Sequence, residues 1–454
     1  MRRTHKLKST NTTGRDGSAH SSDEASVAEL LRESTGANWK RQEEYLKAIK
    51  SYQIRKEELR EAWLSVKRSG GGPGIDGQSI EDFERDLENN LYKLWKRMSS
   101  GSYYPKEIKQ VAIPKGDGSQ RLLGIPTVTD RVAQMVIHKQ LEPELEKVFH
   151  PNSYGFRRGK SAHEAVKQCR EKCFTYGWVI DLDIAKYFDT INHGILMQMV
   201  EKHAKEKSQL LYIKRWLKAP SVDAAGQQSA RWQGTPQGGV ISPLLANLYL
   251  HYAFDRWISE QYSTIPFERY ADDLVLHCIS HKQAKFILEQ VTKRLEGFGL
   301  KLHPTKTKIV HCKNSYREEH FLNNKFSFLG FDFKPRRARS KEGRLYTVFT
   351  PAVSQKNKTK FLKIIRELRI GSQTIEPIES IAKQCKQVTR GWINYFKVFR
   401  SSELQGTLRF INRWLIYWAK RKYKTSLRRA KELLLRIAKQ QPMLFPHWQF
   451  GVLP

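Results

Sequence analysis

Two clusters of aspartate stand where charge is costly. The hydrophobic run Trp178-Val-Ile-Asp-Leu-Asp183 ends in two carboxylates, and Asp189 follows. Further along, Tyr270-Ala-Asp-Asp273 interrupts the otherwise apolar stretch Phe267–Cys278. Adjacent charges in a buried strand cost several kcal/mol unless something pairs with them. A divalent cation is the natural partner, and carboxylate oxygens suit the hard ion Mg²⁺. Two such ions roughly 3.5–4 Å apart clamp an in-line phosphoryl transfer, one at the attacking 3′-hydroxyl and the other at the leaving pyrophosphate. Solvated aspartates at a strand end are the bland alternative. Two such motifs in one basic chain count against it.

Other chemistry-bearing patterns fail. Gly159-Lys160-Ser161 resembles the end of a phosphate-binding loop, but the pattern needs glycine at 154 and finds Tyr154. His163, Cys169 and Cys173 share a helix face but lack a fourth ligand or a Cys-x2-Cys pair, so they read as ordinary helix residues. No His-Glu-x-x-His occurs. The 5 cysteines, with no export signal, read as reduced thiols in a cytosol-like compartment.

The elements that must position the carboxylates are mixed. Trp178–Asp183 reads as a buried strand, and 267–278 as a hairpin turning at Ala271-Asp272. Upstream, Lys109–Pro114 and Arg121–Ile125 flank a Gly-Asp-Gly turn as a basic β-hairpin. Helices are expected over 39–68, over 80–98 and from Asp130, with Ser69–Gly77 a plain loop. Beyond Pro351 strand signals nearly vanish. Three apolar stripes follow: Phe361, Leu362, Ile365 and Leu368; Leu408, Ile411, Leu415 and Trp418; and Leu427, Leu434 and Ile437. The fold class is α+β, followed by an all-helical, basic domain. Residues 1–37 read as a flexible polar tail.

Charge points to the partner. The 454 residues carry a formal +34, and residues 331–454 hold 28 Lys+Arg against 7 Asp+Glu. Such an excess repels itself unless a polyanion neutralises it, so nucleic acid binding is expected. No apolar run reaches the ~18–20 residues of a membrane span, and the N-terminus lacks a hydrophobic signal core.

The ordered motifs resemble one family. Tyr270-Ala-Asp-Asp273 is similar to the Tyr-x-Asp-Asp box of reverse transcriptases, and Asp183-Ile-Ala-Lys-Tyr-Phe-Asp189 to their first palm motif. Gln233-Gly-Thr-Pro-Gln-Gly-Gly-Val-Ile-Ser-Pro-Leu-Leu-Ala-Asn247 resembles the group II intron form of the central palm motif. Gly299–Lys308 and Phe328-Leu-Gly-Phe331 resemble the next two, and Ile113–Pro126 and Ser153–Gly159 the fingers. Gly391-Trp-Ile-Asn-Tyr-Phe396 resembles the maturase, or X, domain. The resemblance, over roughly 40–440, is to group II intron-encoded reverse transcriptase/maturases.

It implies a right-hand polymerase with fingers and palm over 38–335, a helical thumb/maturase domain over 336–440 and a short tail over 441–454. Asp183, Asp272 and Asp273 would hold two Mg²⁺ ions, with Ile184 lending a carbonyl. Lys115 and Arg121 would grip the incoming triphosphate, as point charge and bidentate partner. Phe188 would be the steric gate against ribonucleotides, Gln237 would meet the nucleotide, and Gly238 and Tyr270 would border the template–primer. Lys306 would be a general acid for pyrophosphate. The partners implied are group II intron RNA, an RNA template with a DNA primer, and dNTPs, in a bacterial cytoplasm or nucleoid and not in a membrane. The family's paired-cysteine His-Asn-His endonuclease segment has no counterpart after Cys385. A domesticated enzyme of defence or repair, or a splicing factor without polymerase activity, are the alternatives; the intact aspartates argue against the latter.

Overall fold

The computed structural model describes residues 52–454, apart from 115–117, 119, 318 and 320. The tail expected over 1–37, the start of the helix expected from residue 39, and Lys115 lie outside the described residues. The described residues divide into two compact units: those up to 149 with 186–256 and 293–301, and 150–185 with 257–292 and 302–454. Among the described residues the strands are β1 (Ile108–Pro114), β2 (Gln120–Ile125), β3 (Trp178–Asp183), β4 (Ser221–Val222), β5 (Gln228–Ser229), β6 (Phe267–Tyr270), β7 (Asp273–Cys278), β8 (Lys308–His311), β9 (Phe326–Phe328), β10 (Phe331–Arg339) and β11 (Leu345–Val353).

In the first unit β1 and β2 form the expected basic hairpin, with Lys109 opposite Ile125 and Pro114 opposite Gln120. They belong to a sheet of order β2-β1-β4-β5. The long helix Val128–Glu146 starts at Thr127, whose hydroxyl accepts from the Asp130 amide at 3.1 Å. The single helix expected over 80–98 is in fact two, Ile80–Arg85 and Leu87–Ser99. Asp86 leaves helical geometry at φ −124°, ψ 46°. A reciprocal Ser79–Asp82 cap makes the first turn stable enough to stand alone.

The second unit is built on a sheet of order β6-β7-β3-β8. Its central strand β3 runs antiparallel to both neighbours. The helix Ala162–Thr175 is capped by Ser161 and Glu164, so the residue that ended the rejected phosphate-loop pattern is a helix cap. Its inner face, Ala165, Val166, Cys169 and Cys173, is fully buried with Val179, Val275 and Val310.

The helical domain begins later than residue 336. β10 and β11 pair over nine residues, from Phe331 opposite Val353 to Arg339 opposite Leu345, and the first helix is Gln355–Glu367. Arg336, Arg337 and Arg339 hide the strand signal, because a charged ribbon lacks the apolar alternation that marks a half-buried strand. The helices Ile378–Phe396, Ser402–Lys422 and Leu427–Gln440 follow. Leu408, Ile411, Leu415 and Trp418 are fully buried, as their stripe predicts. In the third stripe Leu427 is 45% exposed; it follows the cap residue Ser426, and Ala430 and Ala438 fill the core instead.

The segment expected as a tail is packed. Phe445, His447, Trp448 and Val452 are buried. Asn412 anchors them: its Oδ1 accepts from Trp448 Nε1 at 2.8 Å and lies 2.7 Å from His447 Nε2, while its Nδ2 donates to the Val452 carbonyl at 3.0 Å. Among the described residues no helix is long and apolar enough to cross a membrane.

Candidate active site

The carboxylates meet at one end of the second unit's sheet. β3 and β7 are in register so that Asp183 lies directly opposite Asp273. Asp272 precedes Asp273 in the turn of the β6–β7 hairpin, where Ala271 adopts a left-handed φ of +57°. That unusual conformation brings the two adjacent acids to the strand end instead of burying one of them. Desolvation by the surrounding chain, with the charges of Asp272 and Asp183, pushes Asp273 up to about 7. The like-charge crowding is the cause that carries weight, because the Asp273 side chain keeps an open edge to solvent.

Lys306 stands against this trio in an ion pair, with Nζ 3.3 Å from Asp183 Oδ2. Ile184 forms an antiparallel bridge with Leu302, and the Asp183 carbonyl accepts from the His303 amide at 2.7 Å. Tyr270 is half-buried at the end of β6, paired with Asp273.

The turn rests on Ser153-Tyr154-Gly155. Arg269 donates its amide to Asn152 O at 2.9 Å, and Tyr154 donates to Arg269 O at 2.8 Å, so this segment runs alongside β6. A Cβ on Gly155 would stand 2.4 Å from the Ala271 amide nitrogen. Only glycine lets the two backbones approach this closely.

Of the residues expected at the nucleotide, Arg121, Gln237 and Phe188 lie in the first unit, and the first two form a connected group with Asp189. Arg121 Nε donates to Gln237 Oε1, and Gln237 Nε2 donates to Asp189 Oδ1 at 3.2 Å. The Gln237 carbonyl accepts from the Gly124 amide at 2.9 Å, so the central motif is laced to the basic hairpin. Gly238, at φ +127°, would place a Cβ 2.5 Å from the Gly124 carbonyl oxygen. Phe188 is only 8% exposed, edge-on to Tyr187, and its carbonyl accepts from the Thr235 amide at 2.7 Å.

Two aspartates have partners that the motifs did not assign. Asp189 orients Gln237. Asp181, pushed up to about 7 mainly by burial, sits 3.8 Å from Lys308 Nζ. The period of two along β3 puts Asp181 on the same side as Asp183 and was the signal available for it.

A sheet whose central strand and neighbouring hairpin converge three carboxylates, in a chain that also carries a basic hairpin, defines the palm and fingers of a template-directed polymerase. A family model described as reverse transcriptase (RNA-dependent DNA polymerase) matches residues 113–333, and one described as the group II intron maturase-specific domain matches 358–434. Protein YkfC of Escherichia coli is 30% identical over 341 residues, 67% of this chain and 86% of that protein. The group II intron-encoded protein LtrA of Lactococcus lactis is 32% identical over 239 residues, 52% of this chain and 38% of LtrA. The putative COX1/OXI3 intron 1 protein of Saccharomyces cerevisiae is 22% identical over 406 residues, 74% of this chain and 48% of that protein. The match thus spans less than half the length of the last two. The chain belongs to the group II intron reverse transcriptase/maturase family, an RNA-directed DNA polymerase domain followed by a maturase domain.

Proposed function

We propose that the chain copies RNA into DNA with two Mg²⁺ ions held by Asp183, Asp272 and Asp273, and that it binds its group II intron RNA to assist splicing and retrohoming. The carboxylate trio carries this reading. Three acids crowd one strand end, and a hard cation would relieve the desolvation and like-charge repulsion that raise Asp273. When bound, such ions clamp the in-line displacement and stabilise its attacking and leaving oxygens.

The chain's own groups supply the rest. The primer 3′-hydroxyl gives up its proton to solvent, and its oxygen bonds to the α-phosphorus of a dNTP as the bond to pyrophosphate breaks. Lys306, whose Nζ lies 3.3 Å from Asp183 Oδ2, would give its proton to the leaving pyrophosphate. Arg121 and Gln237 keep the nucleotide-binding roles that the family resemblance implies, and Gln237 is held by both Arg121 and Asp189. Lys115 and Ile184 keep the phosphate-binding and carbonyl-donating roles that the family resemblance implies. Gly238 and Tyr270 border the template–primer, and Phe188 excludes a ribose 2′-hydroxyl.

The test is primer extension by Asp183→Ala and Asp272→Ala beside RNA affinity. Either change should remove several kcal/mol of transition-state stabilisation, leaving less than about 1% of extension while RNA affinity stays within about twofold. Extension well above that level would exclude these ligands. Loss of RNA affinity alongside would mean that the variants are unfolded.

A further inference from the structure

We propose that the tip of the β10–β11 ribbon, with the adjoining turn 314–317, is a binding site for an unpaired segment of RNA, separate from the catalytic aspartates and from the maturase helices. Residues 334–346 hold six Lys and Arg against one acid. Arg336 is structural: it pairs with Glu403 of the helix Ser402–Lys422 at 2.9 Å and braces the ribbon's base. Arg337, Arg339, Lys341 and Arg344 are exposed, and their side chains have no partner among the described residues. Glu342 does not neutralise them, since its carboxylate is bonded to the Ser340 hydroxyl and to its own amide. Register sets Arg337 opposite Thr347 and Arg339 opposite Leu345, so both arginines share one face, about 7 Å apart along the strand. Successive phosphates of an extended strand have a similar spacing.

Charge alone has a bland explanation, because cations keep a free ribbon from pairing with another chain. Exposed rings do not serve that end. Tyr316 is 96% exposed, and Leu345 and Tyr346 at the ribbon's tip are 65% and 44% exposed. Tyr316 is also held in place. On one side Ser315 exchanges two hydrogen bonds with Thr347 of β11, its amide donating at 3.1 Å and its hydroxyl accepting at 2.7 Å. On the other, the Arg317 guanidinium donates to the carbonyls of Phe174, Thr175 and Tyr176 at 2.7, 2.9 and 3.0 Å, closing the end of the helix Ala162–Thr175. A ring pinned between two anchored neighbours, in water beside free arginines, is a platform for an unpaired base whose phosphates meet the guanidinium groups. A duplex hides its base faces and offers the ring nothing. That the strand is single follows from the ring; that it is RNA rests on the function proposed above.

The test reads this site alone. The full chain, its polymerase groove filled with an RNA–DNA primer duplex, is irradiated with a short single-stranded RNA carrying 4-thiouridine, and the crosslinked peptides are mapped. Crosslinks should fall on 313–317 and 337–347, and their dependence on RNA concentration gives the site's own affinity. Tyr316→Ala should weaken it about 5- to 100-fold, the worth of one base stack, whereas Tyr316→Phe should stay within about twofold. Changing Arg337, Arg339 and Arg344 together to Gln should flatten the salt dependence by roughly 0.7 in log–log slope for each phosphate released. No crosslink in these segments, unchanged affinity of Tyr316→Ala, or an equal loss in Tyr316→Phe overturns the site. Stronger crosslinking by double-stranded RNA overturns the stacking, and by single-stranded DNA the choice of RNA. Primer extension on the simple duplex should persist in every variant, which shows each to be folded. Its loss would place these residues in the polymerase groove and overturn their separateness. The site can therefore fail while the aspartate assignment stands, and the reverse.

Discussion

Gly155 leaves no space for a side chain, and what blocks it is the backbone of the catalytic turn itself. Gly155→Ala should push on Ala271, whose left-handed φ has little freedom to adjust, and so displace Asp272 and Asp273 together. A displacement of about 1 Å near reacting groups costs on the order of a hundredfold in rate, while overpacking costs about 1–3 kcal/mol of stability. Primer extension should therefore fall far more than thermal stability, and a variant with unchanged extension would show that the turn tolerates the methyl group. Phe188 offers a second test at this scale. If its ring excludes the ribose 2′-hydroxyl, Phe188→Ala should raise the ratio of rNTP to dNTP incorporation. An unchanged ratio with about 3–5 kcal/mol of lost stability would make the ring a core residue, in keeping with its low exposure.

At the scale of elements, the parts closest to the chemistry were the most legible. β3 and the β6–β7 hairpin announced themselves because acids interrupt otherwise apolar strands, and the turn at Ala271-Asp272 fell where expected. The β10–β11 ribbon was not legible, since its arginines break the alternation that betrays a strand. Nor was the docking of 445–452, which depends on Asn412 in a different helix and leaves no local periodicity. That docking has a pH signature. Burial lowers His447 to about 3, against an ordinary value near 6.5. The unfolded chain takes up a proton that the folded chain refuses, so the stabilisation is complete above about 6.5 and is lost as pH falls, by about 1.4 kcal/mol per unit towards 3. His447→Gln keeps a donor for Asn412 without titrating. Thermal unfolding of this variant should vary less between pH 7 and 4 than that of the unmodified protein; identical slopes would remove His447 as the cause.

Over the whole molecule, the net charge of +34 is concentrated after Phe331, in the helices that carry the maturase-specific match. The structure decides which of those cations are available to RNA. Arg421 donates to the Gly371 carbonyl at 3.1 Å, and the Lys422 ammonium donates to the carbonyls of Thr374, Ile375 and Glu376. These two brace a loop, so reversing them would test folding and not binding. Lys420, Lys424, Arg436 and Lys439 are exposed instead. Reversing those four to glutamate should weaken intron RNA binding and flatten its salt dependence, by roughly 0.7–0.9 in log–log slope for each phosphate that is no longer neutralised. Extension on a short, unstructured RNA–DNA primer duplex should fall much less, because the aspartates belong to the sheet built from β3, β6, β7 and β8. The measurement is intron RNA affinity at several salt concentrations beside extension on the simple duplex. Unchanged affinity and slope would make these lysines and arginines a solvated face and would remove this surface from the maturase function. A parallel loss of extension would instead assign them to the primer–template.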